Sequence, residues 1–148
     1  MNPRPASDIT DVVFHYSYTT VNPDYLSEIA AVRAIQASHM DVNGWADIGY
    51  NAIVGMSGNI YDCRDHRFVP AHTKGFNAPS VGICFLTKDQ ITLSAGYSAQ
   101  WLTLLNEWVL GRKLGKSVHS SHVATKCPGD ALRAWFKQVT SPGELLAP

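Results

Sequence analysis

The apolar run Val12-Val13-Phe14-His15-Tyr16 decides the fold, because a short run of this kind is typical of a strand buried inside a sheet. A second run, Val81 to Leu86, predicts a central strand. Between them, Ile48 to Met56 and Ile60 to Arg64 predict two more strands, and the turn Ser57-Gly58-Asn59 joins these into a hairpin.

Three helices are predicted around these strands. The first opens at Asn22-Pro23 and ends near His39; the second has Ser98 as its N-cap; the third starts at Pro128-Gly129-Asp130. Their apolar positions follow helical spacing, which places the following residues toward the sheet: Leu26, Ile29, Ala30, Val32 and Ile35; Trp101, Leu104, Leu105, Trp108 and Val109; Leu132, Trp135 and Phe136. Trp101, Trp108 and Trp135 are accordingly expected in the core. The order of elements predicts an α/β fold, a single-domain mixed central β-sheet flanked by helices.

One domain accounts for the whole chain, residues 1–148, with a core at about 11–138 and short tails. We find no internal repeat and no linker in mid-chain, and Ser141-Pro142-Gly143 has the composition of a linker remnant. The segment from Asp65 to Pro79 is long and polar, which is typical of a surface loop that carries function.

Charge and hydropathy exclude several classes of partner. The chain has 12 Lys and Arg against 12 Asp and Glu, which argues against nucleic acid and anionic membranes. No apolar run approaches the ~20 residues of a membrane span, and the N-terminus lacks the apolar core of a signal peptide. Nothing in the sequence demands a dimer, so a monomer is expected.

Three cysteines are an odd number, so a complete disulfide framework is excluded. Cys63 and Cys84 fall in predicted strands, where free thiols pack as small hydrophobes, although a bridge between neighbouring strands remains an alternative. Cys127 is the thiol that we expect to be used chemically.

Residue types that bind metals are concentrated near the C-terminus, in the segment His119-Ser120-Ser121-His122-Val123-Ala124-Thr125-Lys126-Cys127. A catalytic zinc needs about three protein ligands and one open position, and His15 is our candidate for the missing ligand. Taken alone, a histidine in an apolar strand is more often a core residue. The prediction of a zinc site therefore rests on His15 together with the ligand types of the C-terminal segment.

Ordered motifs extend over most of the chain, from Val12 to Phe136. They are Phe14-His15-Tyr16; Gly44-Trp45-Ala46-Asp47-Ile48-Gly49-Tyr50-Asn51; Ser57-Gly58-Asn59-Ile60-Tyr61; Ala71-His72-Thr73-Lys74-Gly75-Phe76-Asn77 with Ser80-Val81-Gly82-Ile83; and His119 with Cys127-Pro128-Gly129. In this order and spacing they resemble the zinc-dependent N-acetylmuramoyl-L-alanine amidases shared by bacteriophage lysins and peptidoglycan recognition proteins. The resemblance implies hydrolysis of the amide between N-acetylmuramic acid and L-alanine in bacterial peptidoglycan.

The resemblance also implies one zinc ion held by His15, His119 and Cys127. In that family the second ligand histidine lies eight positions before the cysteine, which selects His119 over His122. His122 is then expected to be a partly exposed loop residue or a group behind the ligands. An intact cysteine separates family members that cut from members that only bind, so Cys127 favours an enzyme.

Further site residues follow from the same resemblance. Tyr50 and Thr125 are the catalytic candidates, which position water or stabilise the oxyanion, although Tyr50 alone reads as an ordinary strand aromatic. His72, Asn77 and Lys126 are the substrate-binding candidates. As an alternative, His72 and Asn77 hold their loop together by side-chain to backbone hydrogen bonds. The alternative for Lys126 is a solvated charge with no role in the site.

We expect a phage lysin, made in the host cytoplasm, that reaches the wall through a membrane lesion. Three alternatives remain open: a peptidoglycan-binding module that does not cleave, a cytosolic amidase that recycles soluble muropeptides, and a regulatory protein that binds another protein. Activity on cell walls separates the first alternative from an enzyme. Comparison of soluble muropeptides with intact sacculi separates recycling from lysis.

Overall fold

A computed structural model describes residues 1–141 of the protein. The elements in chain order are β1 (Asp11–Tyr16), α1 (Tyr25–Ala37), β2 (Ala52–Val54), β3 (Ile60–Asp62), β4 (Ser80–Phe85), α2 (Leu93–Leu110), β5 (Gly115–Val118) and α3 (Asp130–Thr140). The strands form one sheet in the order β3-β2-β4-β1-β5. The β2–β3 pair is antiparallel and the other pairs are parallel, which confirms the predicted mixed sheet and its hairpin. The predicted linker remnant after Ser141 lies outside the described residues.

Strand β1 divides its side chains between two apolar layers. Val12 and Phe14 belong to the layer that α2 and α3 cover, where Trp135 stands edge-on to Phe14 at 5.4 Å between ring centroids. The alternating residue His15 therefore lies on the opposite face, because successive side chains of a strand point to opposite sides. Helix α1 packs on that second face through half-buried residues such as Val32 and Ile35.

Helix α2 differs from its prediction in both start and orientation. It begins at Leu93, where the Thr92 side chain caps it by accepting a hydrogen bond from Ala95 N, so Ser98 as the N-cap was wrong. Trp101 and Trp108 were expected in the core, but they are 54% and 79% exposed. The residues that α2 buries are mainly small, which lets the helix lie close to the sheet: Ala95, Gly96, Ala99, Leu102, Thr103 and Glu107. The expectation for Trp135 is confirmed.

Strands β2 and β3 are shorter than predicted, and a buried carboxylate of α1 closes the turn between them. Glu28 accepts hydrogen bonds from the backbone and hydroxyl of Ser57, from Asn59 Nδ2 and from Tyr61 Oη. These bonds satisfy the carboxylate inside the fold, where an unpaired charge would be costly. They fix α1 against the hairpin.

Four further features bear on predictions from the sequence: the loop before β4, the cysteines, Leu26 and the possibility of a membrane span. Residues 65–79 form a loop with no helix or regular strand, as predicted. All three cysteines are free, and Cys84 is fully buried in β4, which confirms its packing role. Leu26 of α1 is exposed rather than buried. Among residues 1–141, no helix is long and apolar enough to cross a membrane.

Candidate metal centre

The three predicted metal ligands meet on the α1 side of the sheet. His15 lies near the end of β1, His119 follows the neighbouring parallel strand β5, and Cys127 lies in the loop before α3. Their donor atoms all lie within 4.8 Å of one another, and Cys127 Sγ is 3.8 Å from His15 Nδ1. A tetrahedral zinc with ordinary bond lengths separates a sulfur and a nitrogen ligand by roughly 3.5 Å, so the arrangement fits this ion.

Burial lowers the pKa of the two histidines but raises the pKa of the cysteine. It lowers the pKa of His15 well below its usual value, with nearby histidines adding to the effect, and it lowers the pKa of His119. Both rings are therefore neutral near pH 7 and can offer a lone pair. Burial raises the pKa of Cys127 to about 11, although the Tyr16 backbone N–H and Arg133 oppose this. Metal binding must therefore release the thiol proton.

A chain of hydrogen bonds sets the tautomer of His15. The Ser80 hydroxyl donates to the Phe76 carbonyl, so its oxygen accepts from His72 Nε2 at 3.2 Å. His72 Nδ1 is then an acceptor, and His15 Nε2 lies 2.9 Å from it. We assign the His15 proton to Nε2 from this network, which leaves the Nδ1 lone pair on the side of Cys127 Sγ. A partner of this kind on the second ring nitrogen is usual for metal-ligating histidines.

Glycine and amide groups hold His72 behind His15. A Cβ on Gly82 of β4 would lie 2.5 Å from His72 Cδ2, so the ring packs where a side chain is missing. Asn77 Oδ1 accepts from the backbone N–H groups of His72 and Thr73 at 2.9 and 2.7 Å. This is the loop-holding role that the sequence left open for Asn77. His72 is only 8% exposed, so the geometry favours support of His15 over substrate contact.

Tyr50 lies beside the metal ligands. Its ring centroid is 5.3 Å from that of His15, and burial, with Cys84 and Cys127 nearby, raises its pKa well above the usual value. The phenol therefore keeps its proton and can donate a hydrogen bond beside His15.

His39 also lies beside Tyr50, although no motif in the sequence pointed to a role for it at the site. Its ring centroid is 5.7 Å from that of Tyr50, and both residues line a cavity of about 350 Å³ beside α1. His39 Nδ1 accepts from Gly49 N at 3.0 Å, so the neutral ring carries its proton on Nε2. No spacing in the sequence links His39 to His15, so only the fold reveals this neighbour.

The other candidates surround the cysteine loop. Thr125 Oγ1 accepts from Cys127 N at 3.2 Å, which leaves the hydroxyl proton free to donate. The Lys126 side chain is exposed. His122 stacks on Phe76 at 4.0 Å between centroids and its Nε2 lies 2.7 Å from Ser117 Oγ, so it stays outside the donor cluster.

Similar proteins identify the family. No family model matches the chain. Peptidoglycan-recognition protein SC2 of Drosophila melanogaster is 32% identical in an alignment that covers 89% of this chain and 80% of that protein. The chain belongs to the peptidoglycan-recognition protein and N-acetylmuramoyl-L-alanine amidase family. Human N-acetylmuramoyl-L-alanine amidase is 32% identical over 133 residues, 82% of this chain but 23% of that longer protein.

Solved structures of this family share the fold. Bumblebee peptidoglycan recognition protein SA superposes with a TM-score of 0.87 at 29% identity, covering 93% of this chain and 84% of that one. Peptidoglycan recognition protein LE gives a TM-score of 0.84 at 28% identity and covers 95% and 84% of the two chains. The latter structure contains tracheal cytotoxin, a monomeric diaminopimelic acid-type peptidoglycan.

Proposed function

We propose that the protein is a zinc-dependent N-acetylmuramoyl-L-alanine amidase that acts on bacterial peptidoglycan. The convergence of His15, His119 and Cys127 beside Tyr50 carries the proposal. Two neutral imidazoles and a thiolate suit one zinc ion, and three protein ligands leave a position for water or substrate. Relatives that are named as amidases add support.

Each residue has a distinct task in this reaction. Bound zinc would supply Lewis-acid activation of water and of the substrate carbonyl. Tyr50 keeps its proton and donates it in a hydrogen bond to the oxygen that becomes negatively charged when the amide carbon turns tetrahedral. Thr125, whose oxygen is fixed by Cys127 N, offers a second donor. His72 holds the ring of His15 from behind.

Monomeric diaminopimelic acid-type peptidoglycan is the substrate that we would test first, because family members bind it in solved structures. Hydrolysis of the lactyl amide yields a free stem peptide and a peptide-free sugar, which mass spectrometry separates. The wild-type protein with zinc should release both. Cys127→Ser should lose the zinc and the cleavage together.

Two further variants sharpen this test. Tyr50→Phe should keep its zinc but cleave about 10²–10³-fold more slowly, the usual effect of removing one oxyanion donor. His122→Ala is the matched control, because this histidine lies outside the donor cluster and should leave zinc content and rate unchanged. Full activity in Tyr50→Phe would remove the tyrosine from the mechanism.

Recognition without cleavage is the second candidate function, and the names of the similar Drosophila proteins favour it. A protein that binds zinc and this peptidoglycan but releases no peptide would have that function.

The roles of phage lysin and cytosolic recycling enzyme rest on the sequence alone and stay predictions. Clearing of purified sacculi, compared with cleavage of soluble muropeptides, separates them. A lysin should clear sacculi, whereas a recycling enzyme should prefer the soluble fragments.

A further inference from the structure

Helix α2 presents an apolar stripe to solvent along its whole length. The first five members follow one another at intervals of three and four residues, which places them on one side of the helix, and Val109 borders that side next to Trp108. We call these residues the α2 outer face: Leu93 (77% exposed), Tyr97 (52%), Trp101 (54%), Leu104 (57%), Trp108 (79%) and Val109 (67%).

This face carries no charge. The single charged residue of α2 is Glu107, which points to the other side and is buried against Lys113 and Lys116. Each of the six side chains exposes on the order of 100 Å², so together they expose about 600 Å². Monomeric soluble proteins rarely expose apolar patches of more than a few hundred Å², so this face is expected to be covered.

A cavity of about 500 Å³ opens beside the α2 outer face. Trp101 and Val109 of the face line it together with Leu102, Leu105 and Ile60. The lining also includes charged and polar residues: Arg4, Asp62, His66, Arg67 and Asn106. The cavity lies on the α2 side of the sheet, away from the metal centre. It can receive a large side chain from a partner that docks on the face.

We propose that a second copy of this chain covers the α2 outer face, with the two helices antiparallel about a two-fold axis near Trp101. Such an axis places Leu93 of one copy against the partner's Val109. It also places Leu105, at the cavity, against the partner's Tyr97. About 600 Å² per copy gives about 1,200 Å² in total, the lower end of the range that stable interfaces bury. This proposal differs from the monomer that the sequence led us to expect.

The composition of the face favours a protein partner over a membrane. Helices that lie on membranes combine an apolar face with Lys and Arg on the polar face, and α2 contains neither residue. Tyr, Trp and Leu without charges are typical of the buried centre of a protein interface. Self-association needs no charge complementarity, because two uncharged copies of one face do not repel each other.

Sedimentation velocity over about 1 to 200 μM protein tests the proposal, a range that reveals micromolar association. The wild type should shift from monomer to dimer. Trp108→Glu should weaken the dimer by about 30-fold or more, the effect expected when a charge replaces a tryptophan that the interface buries. Val42→Glu is the matched control, because Val42 is also 79% exposed but follows α1 on the other face of the sheet; it should leave the dimer intact.

Circular dichroism and amide cleavage check that both variants keep their fold and metal centre. A wild type that stays monomeric at the highest concentration would overturn the proposal. So would a dimer that Trp108→Glu leaves unchanged, because it would use another surface. A monomer that cosediments with anionic lipid vesicles would assign the face to a membrane instead.

Discussion

Replacing His72 with leucine removes the group that accepts the proton of His15 Nε2, while an apolar side chain still packs on Gly82. His15 is 1% exposed, so water cannot easily replace the lost partner, and Thr73 Oγ1, at 3.4 Å from His15 Nε2, replaces it only by a long hydrogen bond. An unsatisfied buried donor costs about 1–3 kcal/mol, and the loss of such a partner typically lowers metal affinity by about 10–100-fold. We therefore expect His72→Leu to bind zinc about 10–100-fold more weakly.

The assay is a competition titration of the apoprotein against a chromophoric zinc chelator, with thermal unfolding of each apoprotein measured separately. His72→Asn is the matched variant, because its amide oxygen can occupy the place of Nδ1 and accept the same hydrogen bond. It should recover most of the affinity. The reasoning is refuted if His72→Leu binds zinc within two-fold of wild type, or if His72→Asn is as weak as His72→Leu. A raised KM with unchanged zinc affinity would instead indicate substrate contact.

Three further predictions concern stability. Burial alone would raise the pKa of Glu107, but hydrogen bonds from two lysines outweigh burial and lower the pKa to about 2. The lowered pKa contributes about 2 kcal/mol to the free energy of unfolding, after allowance for solvent screening. This contribution is present above about pH 4.5 and is lost toward pH 2. Urea titrations from pH 2 to 6 should show this loss in wild type and a smaller one in Glu107→Gln. Glu28→Ala leaves buried donors such as Tyr61 Oη without an acceptor, so urea unfolding should show a loss of about 3 kcal/mol in the free energy of unfolding. A loss below about 1 kcal/mol would contradict the buried network. Gly82→Ala should cost about 2 kcal/mol and weaken zinc binding, because its Cβ would collide with His72; unchanged melting and affinity would count against this packing.

The cluster of candidate metal ligands was predictable because their residue types and spacing carry the chemistry. His119 and Cys127 are close in sequence, and the resemblance supplied His15 as their partner; the structure brings all three together. The support behind His15 was not predictable. It depends on contacts of the loop residue His72 with Ser80 of β4 and with His15 of β1, and no spacing in the sequence predicts those contacts.

The orientation of α2 was mispredicted for a related reason. Helical spacing of Trp101, Leu104 and Trp108 shows that they share one side of a helix, but it does not show which way that side faces. The sheet instead receives small residues such as Ala95 and Ala99, which allow close approach. A sequence pattern that ranks large apolar residues first assigns the wrong side in such a case.

Zinc titration of the apoprotein, followed by release of stem peptide from monomeric diaminopimelic acid-type peptidoglycan, decides whether the protein is a zinc amidase. A zinc amidase should show no cleavage without metal and a rate that rises linearly to a plateau at one zinc per chain. Cleavage that persists in the metal-free protein, or a chain that binds one zinc and releases no peptide, would contradict a zinc amidase.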